Sequence, residues 1–105
     1  FFKKSDLRWS ILLGVTAVGA DFSDTGFLES RLSFSNFTNA NFSRSDLRRS
    51  DLTDAIFVAS DFSEANMARV DLRHSDISGA NFQNANMLGL KLPEKTSISF
   101  CDDSD

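Results

Sequence analysis

Residues 20–94 are fifteen consecutive pentapeptides without a break in register, and they read ADFSD TGFLE SRLSF SNFTN ANFSR SDLRR SDLTD AIFVA SDFSE ANMAR VDLRH SDISG ANFQN ANMLG LKLPE. The third residue of every pentapeptide is apolar, and we call it the centre of its repeat. Because 41% of the chain is apolar, fifteen apolar centres in a row would arise by chance in roughly one case in a million. The five-residue period therefore decides the fold.

The two positions before each centre are also biased. The residue two before the centre is Ala, Ser or Thr in thirteen of the fifteen repeats, and the residue one before is Asp or Asn in eleven. A small residue and a large apolar residue two positions apart point to the same side of an extended chain, while Asp and Asn tolerate turns and bond nearby backbone. A period of five fits neither an α-helix nor a flat strand. The pattern predicts a short extended piece, a turn, and a repeat of both.

This Ala/Ser–Asp/Asn–Leu/Phe–x–x pattern resembles the pentapeptide-repeat family over about residues 5–92. The resemblance implies an all-β fold, a right-handed quadrilateral parallel β-helix with one repeat per side and twenty residues per coil. About four to five such coils would fit here, with irregular caps at both ends. The resemblance also implies a non-catalytic interaction or scaffold module as the default role.

A twenty-residue coil sorts the centres into columns, two of which are unmixed. The Phe column is Phe22, Phe42, Phe62 and Phe82, and the Leu column is Leu12, Leu32, Leu52, Leu72 and Leu92. Identical side chains stack well above one another in ladders. The columns therefore support a coil length of twenty residues independently of the resemblance.

The repeats divide the chain into three parts. Residues 1–19 are predicted to be a lead-in and a degenerate first coil, in which Trp9, Ile11 and Leu13 would cap the end of the core. Residues 20–92 are the predicted β-helix. Residues 93–105 begin with the only proline and are predicted to form a C-terminal cap, with Ile98 and Phe100 as a lid, and an acidic tail.

Composition excludes several classes of function. The net charge of −4 has both signs interspersed, which does not fit direct binding of nucleic acid. The single cysteine allows no internal disulfide and fits a reducing compartment, so a cytoplasmic location is expected. The longest apolar run, residues 11–20, is too short to span a membrane, so no membrane insertion is expected. The chain begins with Phe1 and is expected to be a fragment or a processed product.

Few residues could carry chemistry. His74 is the only histidine, which leaves little material for a catalytic triad or a multi-histidine metal site. A coil of twenty residues places His74 between Asp54 and Glu94, and these three side chains could hold a cation. A solvated imidazole is the simpler interpretation. The serines two before a centre would bond backbone rather than act as nucleophiles. We therefore predict that the chain is not an enzyme and has no cofactor, metal or small-molecule substrate.

One side of the coil would carry almost no charge, and we call its exterior the neutral face. Its outward positions are Thr16, Val18, Gly19, Asn36, Thr38, Asn39, Ile56, Val58, Ala59, Asp76, Ser78 and Gly79. Only Asp76 is charged, while Ile56 and Val58 would expose branched aliphatic groups. Nearly neutral surfaces with an apolar centre are typical of protein contacts, although scattered exposed apolar groups without a partner give the same pattern. The predicted interface residues are Asn36, Thr38, Ile56, Val58, Ala59 and Ser78.

Two charged groups lie on other sides of the coil. Arg48, Arg49 and Arg69 would cluster and could contact an anion, although a solubilising surface is the alternative. The column of Arg31, Asp51, Asp71 and Lys91 is interpreted as charge matching between coils.

Three classes of function compete. The first is the rigid interaction or scaffold module, with a protein partner or self-association. The second is a DNA mimic that inhibits a type II topoisomerase, because pentapeptide-repeat proteins linked to quinolone resistance are similar in repeat pattern. Arg44 interrupts the acidic face of Asp21, Asp24, Asp61 and Glu64, which departs from what mimicry needs. The third, an enzyme, has no supporting constellation.

Overall fold

The computed structural model describes residues 4–93 of the chain. Over this range the backbone forms neither helices nor continuous strands; every fifth residue from 6 to 91 instead makes single-residue β-bridges. Each bridge joins a residue in parallel to the residue twenty positions later, from Asp6–Gly26 to Asp71–Lys91. This is the spacing that the columns of centres predict.

Hydrogen bonds between coils recur with the same period. In the repeat centred on Phe42, the N–H groups of Phe42 and Arg44 donate forward to the carbonyl groups of Asp61 and Ser63, at 2.7 and 2.9 Å. The N–H of Asn41 donates back to the carbonyl of Ala20 at 2.9 Å. Backbone polar groups are therefore satisfied by the coils on either side rather than by a neighbouring strand of the same coil.

Within the described residues, a left-handed backbone residue follows each centre from Leu7 to Met87 by two positions. All of these residues from 9 to 89 have a φ between 55° and 71°, and only four of them are glycine. The turn is closed in most repeats by a hydrogen bond such as that from the N–H of Ser30 to the carbonyl of Phe27, at 3.0 Å. The corners of the coil are thus tight turns with one positive φ, which side chains other than glycine accept at a cost.

The Asp or Asn that precedes most centres stabilises the extended piece, as the sequence predicts. The Oδ1 atom of Asn41, for example, accepts from the N–H of Ser43 at 2.8 Å. The same bond to the residue two positions on is made by Asp6, Asp21, Asn36, Asp46, Asp51, Asp61, Asn66, Asp71, Asp76, Asn81 and Asn86. This local side-chain bond explains the preference for Asp and Asn.

The core is built from the centres. The rings of the Phe column stack at centroid distances of 5.1 Å, with interplanar angles of 11°, 5° and 4°. In the Leu column, Leu32, Leu52 and Leu72 are fully buried and Leu12 is partly buried. Leu92 departs from the predicted column because it is 40% exposed. It is the last centre on the ladder of bridges, so no described coil stacks beyond it.

The small residues two before the centres also face the core, and their hydroxyl groups bond backbone. The Oγ atoms of Ser50 and Ser60 donate to the carbonyl groups of Phe27 and Phe37, both at 2.7 Å. Ser30, Ser35, Ser45 and Ser75 likewise donate to backbone carbonyl groups. The prediction that these buried hydroxyls bond backbone is confirmed.

The first coil continues the ladder of bridges and does not form the predicted cap. Residues 6, 11 and 16 make bridges to the second coil, so this part of the chain already continues the ladder. Trp9, Ile11 and Leu13 are between 48% and 61% exposed and therefore do not cap the core. The reason is their position in the repeat, because the buried apolar cluster consists of centres and residues two before a centre, and these three residues occupy neither position. Residues 1–3 and 94–105, including the predicted lid, lie outside the described residues.

Candidate functional site

The apolar groups of the neutral face are unequally exposed. Ile56 is bridged on both sides, to Asn36 and to Asp76, and keeps 40% of its surface exposed. Val58 is half-buried, whereas Val18 is well exposed at the equivalent position two coils earlier. The apolar area of the neutral face is therefore less exposed at Val58 than the sequence predicts. It extends to Val18 in the first coil.

Local hydrogen bonds order four polar side chains of the neutral face. Oδ1 of Asn36 accepts from both the N–H and the hydroxyl of Thr38, at 3.1 and 2.6 Å. Ser78 bonds Asp76 in the same way, at 3.0 and 2.6 Å, and these bonds hold the pKa of Asp76 below its usual range. Side chains that are already ordered lose little entropy when a partner covers them. The four residues therefore form a preorganised polar surround for Ile56.

Phe34 is an exposed aromatic at the edge of the neutral face, and it was not among the residues predicted from the sequence. It occupies the left-handed corner two residues before Asn36, with a φ of 62°, and 67% of its surface is exposed. A bulky residue at positive φ is unusual, and an exposed phenyl ring adds a second cost. The available signal was a phenylalanine at a position where most other repeats carry a polar residue or glycine.

The three clustered arginines surround a cleft. Arg48, Arg49 and Arg69 line it together with Leu28 and Ala68, and its volume is about 160 Å³. The sequence therefore groups these arginines correctly, while the predicted contact with an anion stays a prediction.

The partners of the three arginines differ. Arg48 donates from Nε and Nη2 to the carboxylate of Asp46, at 2.8 and 2.7 Å, and Arg49 reaches Glu29 at 3.4 Å. Arg69 makes no ion pair or side-chain hydrogen bond with any residue in 4–93. The cleft therefore holds one uncompensated positive charge.

Arginine–aspartate pairs form within single repeats, which was not predicted from the sequence. Arg73 donates from Nε and Nη2 to Asp71, at 2.9 and 2.7 Å, and this contact holds the pKa of Asp71 below its usual range. The ion-pair partner of Asp71 is therefore Arg73 rather than a residue of its own column, although the charge of Lys91 also lowers the pKa of Asp71. Within the described part of the chain, Arg31 and Lys91 make no ion pair. The reason is geometric, because residues one before and one after a centre lie on the same outer side of one extended piece.

The acidic face is interrupted as predicted. Arg44 lies one coil after Asp24 and donates to it from Nε and Nη2, both at 3.0 Å. The alternation of acid and base along this corner neutralises it locally.

His74 and Asp54 are both exposed corner residues, and Glu94 lies outside the described residues. Within residues 4–93, no group of three His, Cys, Asp or Glu side chains is placed to hold a metal ion. Nor does that part of the chain contain a helix that could cross a membrane.

Solved structures of repeat proteins share this fold. A pentapeptide repeat protein from the Arabidopsis thaliana thylakoid lumen gives a TM-score of 0.83 at 27% identity, covering 85% of this chain and 62% of that chain. One from Nostoc PCC 7120 gives 0.50 at 22% identity, covering 91% and 76%. Full-length QnrB1, a plasmid-mediated fluoroquinolone resistance protein, gives only 0.36 at 22% identity, covering 88% and 60%, and this score is too low to carry any argument. The chain spans less than two thirds of the thylakoid-lumen protein.

The sequence itself matches a family model. A comparison with curated proteins gave no match. The model for pentapeptide repeats matches residues 18–54, 30–67 and 55–89, which together make up more than half of the chain. The family predicted from the sequence is thereby confirmed, and the chain belongs to the pentapeptide repeat family.

Proposed function

We propose that this protein is a rigid, non-catalytic module that binds another protein through the neutral face, with Phe34 as the anchor at its edge. The finer fold assignment belongs to the same proposal: a right-handed, four-sided β-helix of four to five coils. The observation that carries the proposal is Phe34, an aromatic side chain that is 67% exposed on a left-handed corner.

Two features of Phe34 are energetically unfavourable in the isolated chain, its exposed ring and its positive φ. Covering an exposed phenylalanine contributes about 1.5–3 kcal/mol of favourable free energy, and aromatic anchors dominate many protein interfaces. In the isolated chain this contribution is absent, while the strain of the positive φ remains. A partner that covers Phe34 would gain the free energy of burying the ring, and the backbone would not have to change.

The surroundings of Phe34 favour a protein partner. Val18 and Ile56 are exposed apolar groups on the adjoining face, and Asn36 and Thr38 between them are already hydrogen-bonded to each other. An apolar centre with a satisfied polar surround is the usual anatomy of a protein interface. A complementary surface would be apolar at its centre and would carry few charges.

The test compares three substitutions of exposed apolar residues in the full chain. Phe34→Asn and Ile56→Asp change the neutral face, and Leu88→Asn changes a residue on another side of the coil that is about as exposed as Phe34. Light scattering over a concentration series measures self-association, and affinity capture with quantitation of specifically retained proteins measures a foreign partner. We expect the first two variants to lose at least about tenfold in whichever association is found, and Leu88→Asn to keep it. Equal loss in all three variants, or none in any, would contradict the proposal.

The alternative, a DNA mimic that inhibits a type II topoisomerase, is less well supported. Mimicry needs a continuous acidic surface, and Arg44 neutralises Asp24 in the middle of the most acidic face. Addition of the purified chain to a topoisomerase supercoiling reaction tests it directly, with inhibition as the outcome that favours mimicry. The cytoplasmic location also stays a proposal, and the similar protein from a thylakoid lumen gives it no support.

A further inference from the structure

We propose that the cleft formed by Arg48, Arg49 and Arg69 is a binding site for an oxyanion, either a phosphoryl group or a carboxylate. This site lies on a different side of the coil from the neutral face. The proposal therefore does not depend on the proposed function.

The placement of Arg69 is the first observation. Corner residues one coil apart stack above each other, and at the corner of Asp24, Arg44 and Glu64 successive charges alternate in sign. At the corner of Glu29, Arg49 and Arg69 the alternation fails, because two arginines follow one another. Like charges at the spacing of adjacent coils repel, and an anion between them would reverse the sign of that interaction.

The second observation is that donors remain available. Arg48 uses Nε and Nη2 for Asp46, which leaves its Nη1 atom, and Arg49 holds Glu29 only at 3.4 Å. Arg69 has all five N–H groups free of side-chain partners within residues 4–93. Arginine forks match the geometry of phosphate and carboxylate, which accept two parallel hydrogen bonds.

The third observation is the shape of the cleft. Its remaining walls are the small Ala68 and the aliphatic Leu28, so the space between the arginines stays open. Gly89 lies one coil beyond Arg69 with a φ of 69°, and a Cβ atom there would come within 3.3 Å of the Cγ of Arg69. The missing side chain leaves room for the stem of Arg69 to lie against the backbone of the next coil. A side chain at residue 89 would therefore displace Arg69 from its present position.

Local charge also favours an anion, despite the net charge of −4. Three arginines face two carboxylates, those of Asp46 and Glu29, so the cleft carries a net positive charge of one. A dianion competes better than a monoanion for donors that are already shared with Glu29. Inorganic phosphate is therefore the first probe, and succinate is a carboxylate probe of similar charge.

The experiment is a titration of the full chain with phosphate and with succinate at constant ionic strength, with chloride as the balancing anion. Binding is followed by the ¹H–¹⁵N shifts of the arginine Nε–H groups. We expect saturable shifts at the cleft, and Arg69→Gln should weaken binding by at least about tenfold. Arg31→Gln is the matched control, because Arg31 also has no ion-pair partner among the described residues but does not line this cleft.

Two further variants test whether the anion binds inside the cleft. Ala68→Glu puts a carboxylate among the arginines and should abolish binding, whereas Ile56→Asp on the neutral face should leave it unchanged. Saturation by both probes supports a general oxyanion site, and saturation by phosphate alone supports a phosphoryl site. The proposal is overturned if neither probe saturates, or if Arg31→Gln weakens binding as much as Arg69→Gln.

Discussion

Phe34 shows how one residue can be unfavourable for stability at a position that the backbone dictates. Every corner of the coil needs a positive φ, and Asn accepts that conformation more readily than Phe does. Asn already occupies the equivalent corner position at residues 39 and 84. We predict that Phe34→Asn raises the free energy of unfolding by about 0.5 kcal/mol, because it relieves strain at the corner. Urea unfolding followed by circular dichroism measures the change.

The matched control is the same substitution at a buried ring. Phe42 stacks between Phe22 and Phe62 at 5.1 Å and is fully buried. Phe42→Asn should lower the free energy of unfolding by at least about 4 kcal/mol, since it creates a cavity and buries an amide. A comparable loss for Phe34→Asn would mean that the corner ring supports the fold, and its exposure would no longer favour an interaction role.

The sequence predicts the inward residues of this chain better than the outward ones. Centres such as Phe42 are constrained to be apolar in every repeat, so their period is visible. The corner position carries aspartate, glycine, arginine, histidine and phenylalanine in different repeats, because its requirement is a backbone angle rather than a side-chain property. The exposure of Phe34 could therefore be found only once the corner was located.

In the extended piece of a repeat, an aspartate just before the centre pairs with an arginine just after it. Asp46 and Arg48 flank Leu47, and the guanidinium hydrogen bonds hold the pKa of Asp46 below its ordinary value of 3.8. A carboxyl whose pKa is lower in the folded than in the unfolded chain adds stability above the unfolded value. That stability is lost as the pH falls through the folded value.

We predict that Arg48→Gln lowers the free energy of unfolding most near neutral pH. The difference from the parent chain should shrink as the pH falls below about 4, and should vanish once the pH lies below the lowered pKa of Asp46, where this carboxyl is protonated in both chains. Denaturant unfolding at a series of pH values measures this. Arg69→Gln is the control, since Arg69 has no carboxylate partner in the described part of the chain. A pH-independent difference for Arg48→Gln would show that the ion pair does not contribute.

The same extended piece explains why the pairing within a repeat was not predicted from the sequence. Columns of charge one coil apart looked like the natural partners of Asp71, because the core columns are stacked in that way. An arginine two residues away, however, reaches its aspartate with a side chain that runs along the strand, as Arg8, Arg48 and Arg73 all do. Arg44 and Arg49 pair instead with the preceding coil, so a flexible charged side chain takes either kind of partner, whereas the buried rings stack along fixed columns.

The stability of the whole chain depends on contacts between adjacent coils. Bridges, ring stacking and the backbone hydrogen bonds other than those that close the turns join residues about twenty positions apart. The free energy of such a solenoid is approximately a sum of terms for each coil and for each junction between neighbours. A whole added coil should therefore stabilise the chain, provided that every column continues in register.

The length of an inserted segment should accordingly decide whether it stabilises the chain. Tandem duplication of residues 40–59 adds one coil and keeps Phe on Phe and Leu on Leu, so the urea midpoint should rise and the m-value should increase by roughly a fifth. Duplication of residues 40–44 adds only one repeat and shifts the columns at the junction, so that Phe37 would stack on Leu52 instead of Phe57. That variant should lose stability although it contains more apolar residues than the parent, because mismatched shapes pack poorly. If both duplications raised the midpoint, apolar content rather than the register of the columns would be what holds the coils together.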